Sequence, residues 1–155
     1  MQTLLEQLAD RFVYDNGVLI KKSNNKPCTL TNNRGYIRVS WDRGTSGRVR
    51  EYAHRLVWFK HFGSIPEGMM IDHINGVKTD NRIENLRLIC KSGNAQNSHW
   101  KGCWLVKRTG KYAAAIKLNG KTKHLGVFAS EAEAREAYLT AKRELHPYAS
   151  EHVLT

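Results

Sequence analysis

The stretch Met70-Ile71-Asp72-His73-Ile74-Asn75-Gly76, followed by Asp80-Asn81-Arg82-Ile83-Glu84-Asn85-Leu86-Arg87-Leu88 and then by Asn94-Ala95-Gln96-Asn97, decides the fold. Met70-Ile71 leads as an apolar pair into Asp72-His73. The run from Ile74 to Glu84 is polar and turn-rich, and Leu86 to Ile89 is apolar again. Ser92 to His99 then has the make-up of a short helix. Strand, loop, strand and helix in that order make a ββα unit over about residues 70–99.

Upstream, Ala53 to Phe62 reads as a helix with Leu56, Val57 and Phe59 apolar, stopped by Gly63 and by Pro66 shortly after. Gly35 to Trp41 alternates Tyr36, Arg38 and Ser40 with Ile37, Val39 and Trp41, the pattern of a half-buried strand. Leu4, Leu5, Leu8 and Phe12 have helical spacing, and Asn16-Gly17 predicts a turn between Phe12–Tyr14 and Val18–Ile20. Downstream, the composition changes near Trp100: residues 100–129 hold seven Lys or Arg and no Asp or Glu. Three short segments, Cys103–Lys107, Lys111–Lys117 and Lys123–Phe128, are separated by Gly110 and by Asn119-Gly120, a strong hairpin signal. Ser130-Glu131-Ala132-Glu133 then reads as a capping box opening an Ala-rich helix to about Leu145, stopped by Pro147. The expected fold is α+β in two domains. Residues 1–99 hold the ββα core, and residues 100–155 form a small three-stranded antiparallel sheet packed on one helix.

Lys and Arg number 25 against 14 Asp and Glu, a formal charge of +11 that attracts polyanions. No apolar run reaches the length of a membrane span, and the N-terminus lacks a basic start followed by an apolar stretch. A nucleic acid is therefore the expected partner, with no membrane and no small-molecule substrate. Cys28, Cys90 and Cys103 are far apart and form no C-x-x-C pair, so they are expected to be small buried or half-buried side chains.

Hydrolysis of a phosphodiester needs an activated water and a charge partner for the phosphorane and its leaving oxygen. An imidazole with an ordinary pKa of about 6.5 can take the water's proton near neutral pH. A hard cation such as Mg²⁺ prefers carboxylate and amide oxygens with waters, which Asp72 and an Asn of the following helix can supply. Asp-His alone is also a common turn former, so the pair acquires meaning only from its company.

That company is Ala53-His54-Arg55-Leu56-Val57-Trp58, Gly63-Ser64-Ile65-Pro66, Ile71 to Gly76, Asp80 to Leu88 and Asn94 to Asn97. In this order, over about residues 12–99, the chain resembles the HNH homing endonucleases of phages and bacteria. The resemblance implies that His73 is the general base and Asp72 a ligand of one Mg²⁺ or Mn²⁺ per active site. Asn85 would brace the loop and orient His73 through backbone hydrogen bonds, and Asn94 would be the second metal ligand. Asn97, one helical turn beyond, is a second candidate, with His99 close behind. Arg82 and Arg87 flank the loop, either as phosphate contacts or as solvated surface arginines. His54 is expected to pack, and His61, His146 and His152 lack a partner pattern.

Trp100-Lys101-Gly102-Cys103-Trp104, Gly110 to Ile116, Lys123 to Phe128 and Ser130 to Tyr138 together resemble the ethylene-response-factor (apetala-two) type of DNA-binding domain. That resemblance implies a sheet lying in the major groove, backed by the helix. By position, Lys101, Trp104, Lys117 and His124 match places where that family contacts DNA. Val106 and Thr122 stand where Arg is usual. Lys107, Arg108, Lys121 and Lys123 are expected on phosphates. The expectation is a free-standing, site-specific endonuclease on double-stranded DNA, a monomer or homodimer in the cytoplasm of a bacterial host and encoded by a phage or mobile element. The alternative is a catalytically silent DNA-binding regulator on the same scaffold.

Overall fold

The computed structural model describes residues 3–97 and 100–154. The chain divides into two compact units, Met1–Ile89 and Cys90–Thr155, so the second begins ahead of the composition change near Trp100.

The first unit opens with α1 (Leu4–Ala9), capped by Thr3 and Glu6 in a reciprocal capping box. Phe12, which fits both the helical spacing and the expected hairpin strand Phe12–Tyr14, lies outside the helix and starts β1 (Phe12–Asp15). β1 pairs with β2 (Val18–Lys21) across Asn16-Gly17, whose φ values of +39° and +90° suit the right-handed twist of a two-residue hairpin. Gly17 also admits a close neighbour, because a Cβ there would lie 2.8 Å from Arg82 Cγ. The Gly35–Trp41 segment becomes β3 (Arg38–Asp42), with Val39 buried and Arg38 and Ser40 exposed. Its partner is β4 (Arg48–Tyr52), a strand with no clear apolar signal in the sequence. α2 (Ala53–Phe62) follows at once and ends at Gly63, whose left-handed backbone (φ +73°) bonds back to Phe59 O. β5 (Met69–His73) pairs with β6 (Leu86–Cys90), and a 3₁₀ turn at Ile83–Asn85 leads into β6. Leu8, Phe12, Leu19, Val39, Leu56, Val57, Ile71 and Leu86 form the core of this unit.

β6 runs directly into α3 (Lys91–Gln96), where Cys90 Sγ accepts a hydrogen bond from Gly93 N. α3 starts one residue earlier than expected and stops at Asn97; Ser98 and His99, the expected end of that helix, lie outside the described residues. In the second unit β7 (Cys103–Val106), β8 (Lys111–Leu118) and β9 (Lys121–Phe128) form an antiparallel sheet in that order. Asn119-Gly120, at φ +50° and +81°, closes the β8–β9 hairpin. α4 (Glu131–Leu145) packs on one face of the sheet. The expected cap is formed in part: Ser130 Oγ accepts from Glu133 N at 3.2 Å, whereas the Glu133 carboxylate reaches Ala129 N. Ile116, Tyr138, Leu139, Cys103, Ala114 and Ala134 fill the space between helix and sheet. Cys28 and Cys103 are buried, Cys90 is half-buried, and all three are free thiols. No helix among the described residues is long and apolar enough to cross a membrane.

Candidate active site and nucleic-acid interface

The polar loop between β5 and β6 is organised by one buried amide. Asn85 Oδ1 accepts from Asn75 N at 3.0 Å, its Nδ2 donates to Asp80 O at 2.8 Å, and its backbone carbonyl accepts from Ile74 N at 2.8 Å. Asn75 adds a bond from Nδ2 to Asp80 Oδ2 at 2.8 Å. Gly76 N donates to His73 O at 3.0 Å, so the chain turns immediately after His73. Asn85 thereby ties the two ends of the loop together, while His73 is reached only through the adjoining backbone.

His73 is 3% exposed. Its Nε2 lies 3.0 Å from Asn81 Oδ1, an atom that only accepts, so Nε2 carries the proton and Nδ1 keeps the lone pair. Asn81 is itself buried, and its Nδ2 lies 3.5 Å from Thr79 O. The ring of His54 meets that of His73 edge-on at 5.0 Å, Tyr36 lies 6.0 Å from His73, and Tyr52 stacks on His54 at 5.4 Å. Burial is the main cause that lowers the His73 pKa, opposed by the Asn81 hydrogen bond and the charges of Asp72 and Asp80. Burial, with His73 beside it, lowers the His54 pKa to about 3, and His54 Nδ1 has no hydrogen-bond partner among the described residues. Both imidazoles are neutral at pH 7.

Asp72 Oδ2 accepts from Arg87 Nε at 3.0 Å and from Arg87 Nη2 at 2.9 Å, so Arg87 is bound to a carboxylate within the fold. Arg82 grips Asp80 through two bonds of 2.8 Å and holds that carboxyl at about 2. Both arginines, expected either as phosphate contacts or as solvated surface residues, thus carry an acid partner within the fold. Asn94 is exposed on α3, and Asn97 Oδ1 accepts from Ser150 N at 3.1 Å, a structural tie within the second unit. His99 lies outside the described residues. Among the described residues no group of three or more His, Cys, Asp and Glu forms a metal cage. Asp72 in the first unit offers a carboxylate and Asn94 in the second an amide oxygen, donor types that suit a hard, largely hydrated divalent ion and not a closed zinc site.

In the second unit the strand register sorts the basic residues by face. Trp104 stands beside Ala113 and Val127, His124 beside Ala115, and Lys117 beside Thr122, all on the face away from α4. Cys103 takes the opposite face and packs against Ala134 of α4. Lys123, opposite Ile116, lines a groove with Glu136 and Glu144 of α4, and Lys121 stands opposite Leu118 on that same side. Lys101 is ion-paired with Glu131 at the start of α4. Lys107 and Arg108 are exposed in the β7–β8 turn. Trp104, Lys117 and His124 therefore share one open face, whereas Lys101, Lys121 and Lys123 do not join them there.

Residues 51–96, which include α2, the loop and Asn85, match the family model described as HNH endonuclease. This segment of the chain is therefore similar to HNH endonuclease domains. The SPbeta prophage protein YosQ of Bacillus subtilis, named as an HNH homing endonuclease, is 31% identical over 84 residues, 54% of this chain and 49% of that protein. DNA endonuclease I-HmuI of Bacillus phage SP01 is 31% identical over 74 residues, 48% of this chain and 42% of that enzyme. The chain thus spans about half the length of the curated relatives it matches. A solved structure, titled as DNA binding and cleavage by the HNH homing endonuclease I-HmuI, aligns with 98% of this chain and 95% of its own at a TM-score of 0.51. At 22% identity that likeness concerns the fold.

Around the HNH loop, sequence reasoning passes over Asn81, whereas His54 packs as expected, against Tyr52 and His73. Asn81 sits among turn formers, and nothing in Asp80-Asn81-Arg82 separates a loop residue from a ligand of His73. For His54 the one available signal was a His at the buried start of an apolar helix.

Proposed function

We propose that the chain is a site-specific DNA endonuclease whose HNH domain hydrolyses a phosphodiester and whose second unit holds the duplex. The observation that carries this reading is the buried, neutral His73 imidazole, oriented by Asn81 and followed by a loop closed on Asn85. Nδ1 of His73 takes the proton of a water aligned with the phosphorus. Attack of that water's oxygen on the phosphorus breaks the bond to the 3′ oxygen, which takes a proton from solvent water, leaving a 5′ phosphate and a 3′ hydroxyl. Asp72 and Asn94 would hold one Mg²⁺ or Mn²⁺, which when bound supplies positive charge to the scissile phosphate and the leaving oxygen. The His54 and Tyr36 rings pack against His73, and Tyr52 stacks behind His54, which together limit the motion of the His73 ring.

The open face of the three-stranded sheet, with Trp104, Lys117 and His124, meets the duplex, while Lys107 and Arg108 add phosphate contacts. Support for this part comes from the acid-free stretch 100–129 and from the resemblance of that segment to ethylene-response-factor domains. The setting we propose is a free-standing enzyme of a phage or mobile element, acting in the bacterial cytoplasm as a monomer or homodimer.

One observation favours a second reading. Arg87 already neutralises Asp72, which suits a silent DNA-binding regulator that has given up its cation. Incubating the full chain and its His73→Ala variant with a supercoiled plasmid library and Mg²⁺, then mapping nicks by sequencing, separates the two. Nicking by the wild type alone supports the enzyme. Binding by both chains with nicking by neither rejects it and leaves the regulator.

A further inference from the structure

The open face of the second unit is not uniformly basic. Its central row, Trp104 on β7, Ala113 on β8 and Val127 on β9, is apolar across all three strands. Trp104 is 46% and Val127 53% exposed, while Ala113 between them is buried and forms a shallow floor. On one side of this row lies Lys111, paired with Val106; on the other lie His124, Thr122 and Lys117. The cations therefore bracket an apolar strip, and the strip itself offers no Arg, Lys, Asn or Gln to read a purine edge.

Resting on the duplex-binding reading above, we propose that the Trp104–Val127 row reads thymine C5-methyl groups in the major groove. The thymine methyl is the apolar feature that a base pair presents there, and apolar side chains are its natural contacts. The flanking cations match the phosphates on either side, and the stretch 100–129 carries no acid that would repel them. Two exposed apolar side chains between lysines are too small a patch to anchor a protein partner, which typically needs about 800 Å² per side. In this assignment Lys111 and Lys117 supply affinity without sequence information, and Val127 and Trp104 supply the preference for thymine.

The test uses the full chain carrying His73→Ala, so that bound DNA stays intact. Duplexes selected from a random library are remade with deoxyuridine replacing one thymidine at a time, which removes only the C5-methyl group. At one or two positions the Kd rises about fourfold, the worth of one buried methyl. In a chain also carrying Val127→Ser, the uridine effect at one of those positions disappears while binding to duplex persists. If duplex is bound and replacement of every thymidine leaves Kd unchanged, the methyl readout is wrong and duplex binding stands. If no duplex sequence is enriched and single strands compete equally, the duplex-binding reading fails and the methyl readout fails with it.

Discussion

Replacing His54 with Phe keeps a flat ring between Tyr52 and His73 but removes a group that must remain neutral to stay buried. The folded-state pKa of His54 is about 3, against 6.5 for an exposed His. Below pH 6.5 the unfolded chain binds a proton at this position and the folded chain does not, so stability falls as pH falls. At pH 5 the unfolded state gains about 2 kcal/mol from protonation of this one imidazole, and at pH 7.5 less than about 0.1 kcal/mol. Between those two values the wild type therefore loses about 2 kcal/mol that His54→Phe does not lose. Asp80, held near 2, titrates below this window and leaves the comparison unaffected. His73 shares the window and the direction of the effect, but it is present in both chains, so the difference between them isolates His54. Urea unfolding of the full chain at the two pH values, followed by tryptophan fluorescence, measures that difference. Equal pH dependence in the two chains would refute the neutral, buried assignment of His54.

Asn85→Ala removes two side-chain hydrogen bonds and strands the Asn75 N–H and the Asp80 carbonyl, at a cost of about 2–4 kcal/mol. It should lower the thermal midpoint of the first unit and abolish nicking, and an unchanged melting curve would rule out the brace. Gly102→Ala places a Cβ 2.1 Å from the Tyr138 ring at φ +71°, so the second unit should lose about 3 kcal/mol or more in a denaturation experiment. A midpoint equal to wild type would mean that the contact relaxes freely. Lys117→Ala should weaken duplex binding and reduce the slope of log K against log salt by about 0.9. Lys101→Ala, whose ammonium is paired with Glu131, should change that slope by less than half as much, and equal slopes would place both lysines on DNA.

Where local conformation decides, the sequence was readable. Asn16-Gly17 and Asn119-Gly120 mark their hairpins because few other pairs accept positive φ at both positions. α2 was legible from its apolar positions and from the left-handed Gly63 that ends it. β4 was not, since Arg48-Val49-Arg50-Glu51-Tyr52 is charged and acquires its strand state from pairing with β3. Phe12 fits both the helical period and the expected hairpin strand, and its pairing with Lys21 decides for the strand.

The same division runs through the site. Asp72, His73, Asn85 and Asn94 stand in an order that resembles the HNH motif, and they lie within the residues 51–96 that match the HNH endonuclease family model. The sequence alone also places a basic, acid-free sheet after it. Tertiary structure decides which charges are already engaged: Arg87 with Asp72, Arg82 with Asp80, and Lys101 with Glu131. It also decides that His54 lies against His73 and that Trp104, not Cys103, faces outward. Backbone turns and caps are settled by a few neighbouring residues, so they can be read along the chain. Burial and the pairing of charges depend on groups distant in sequence, and only folding brings them within reach of one another.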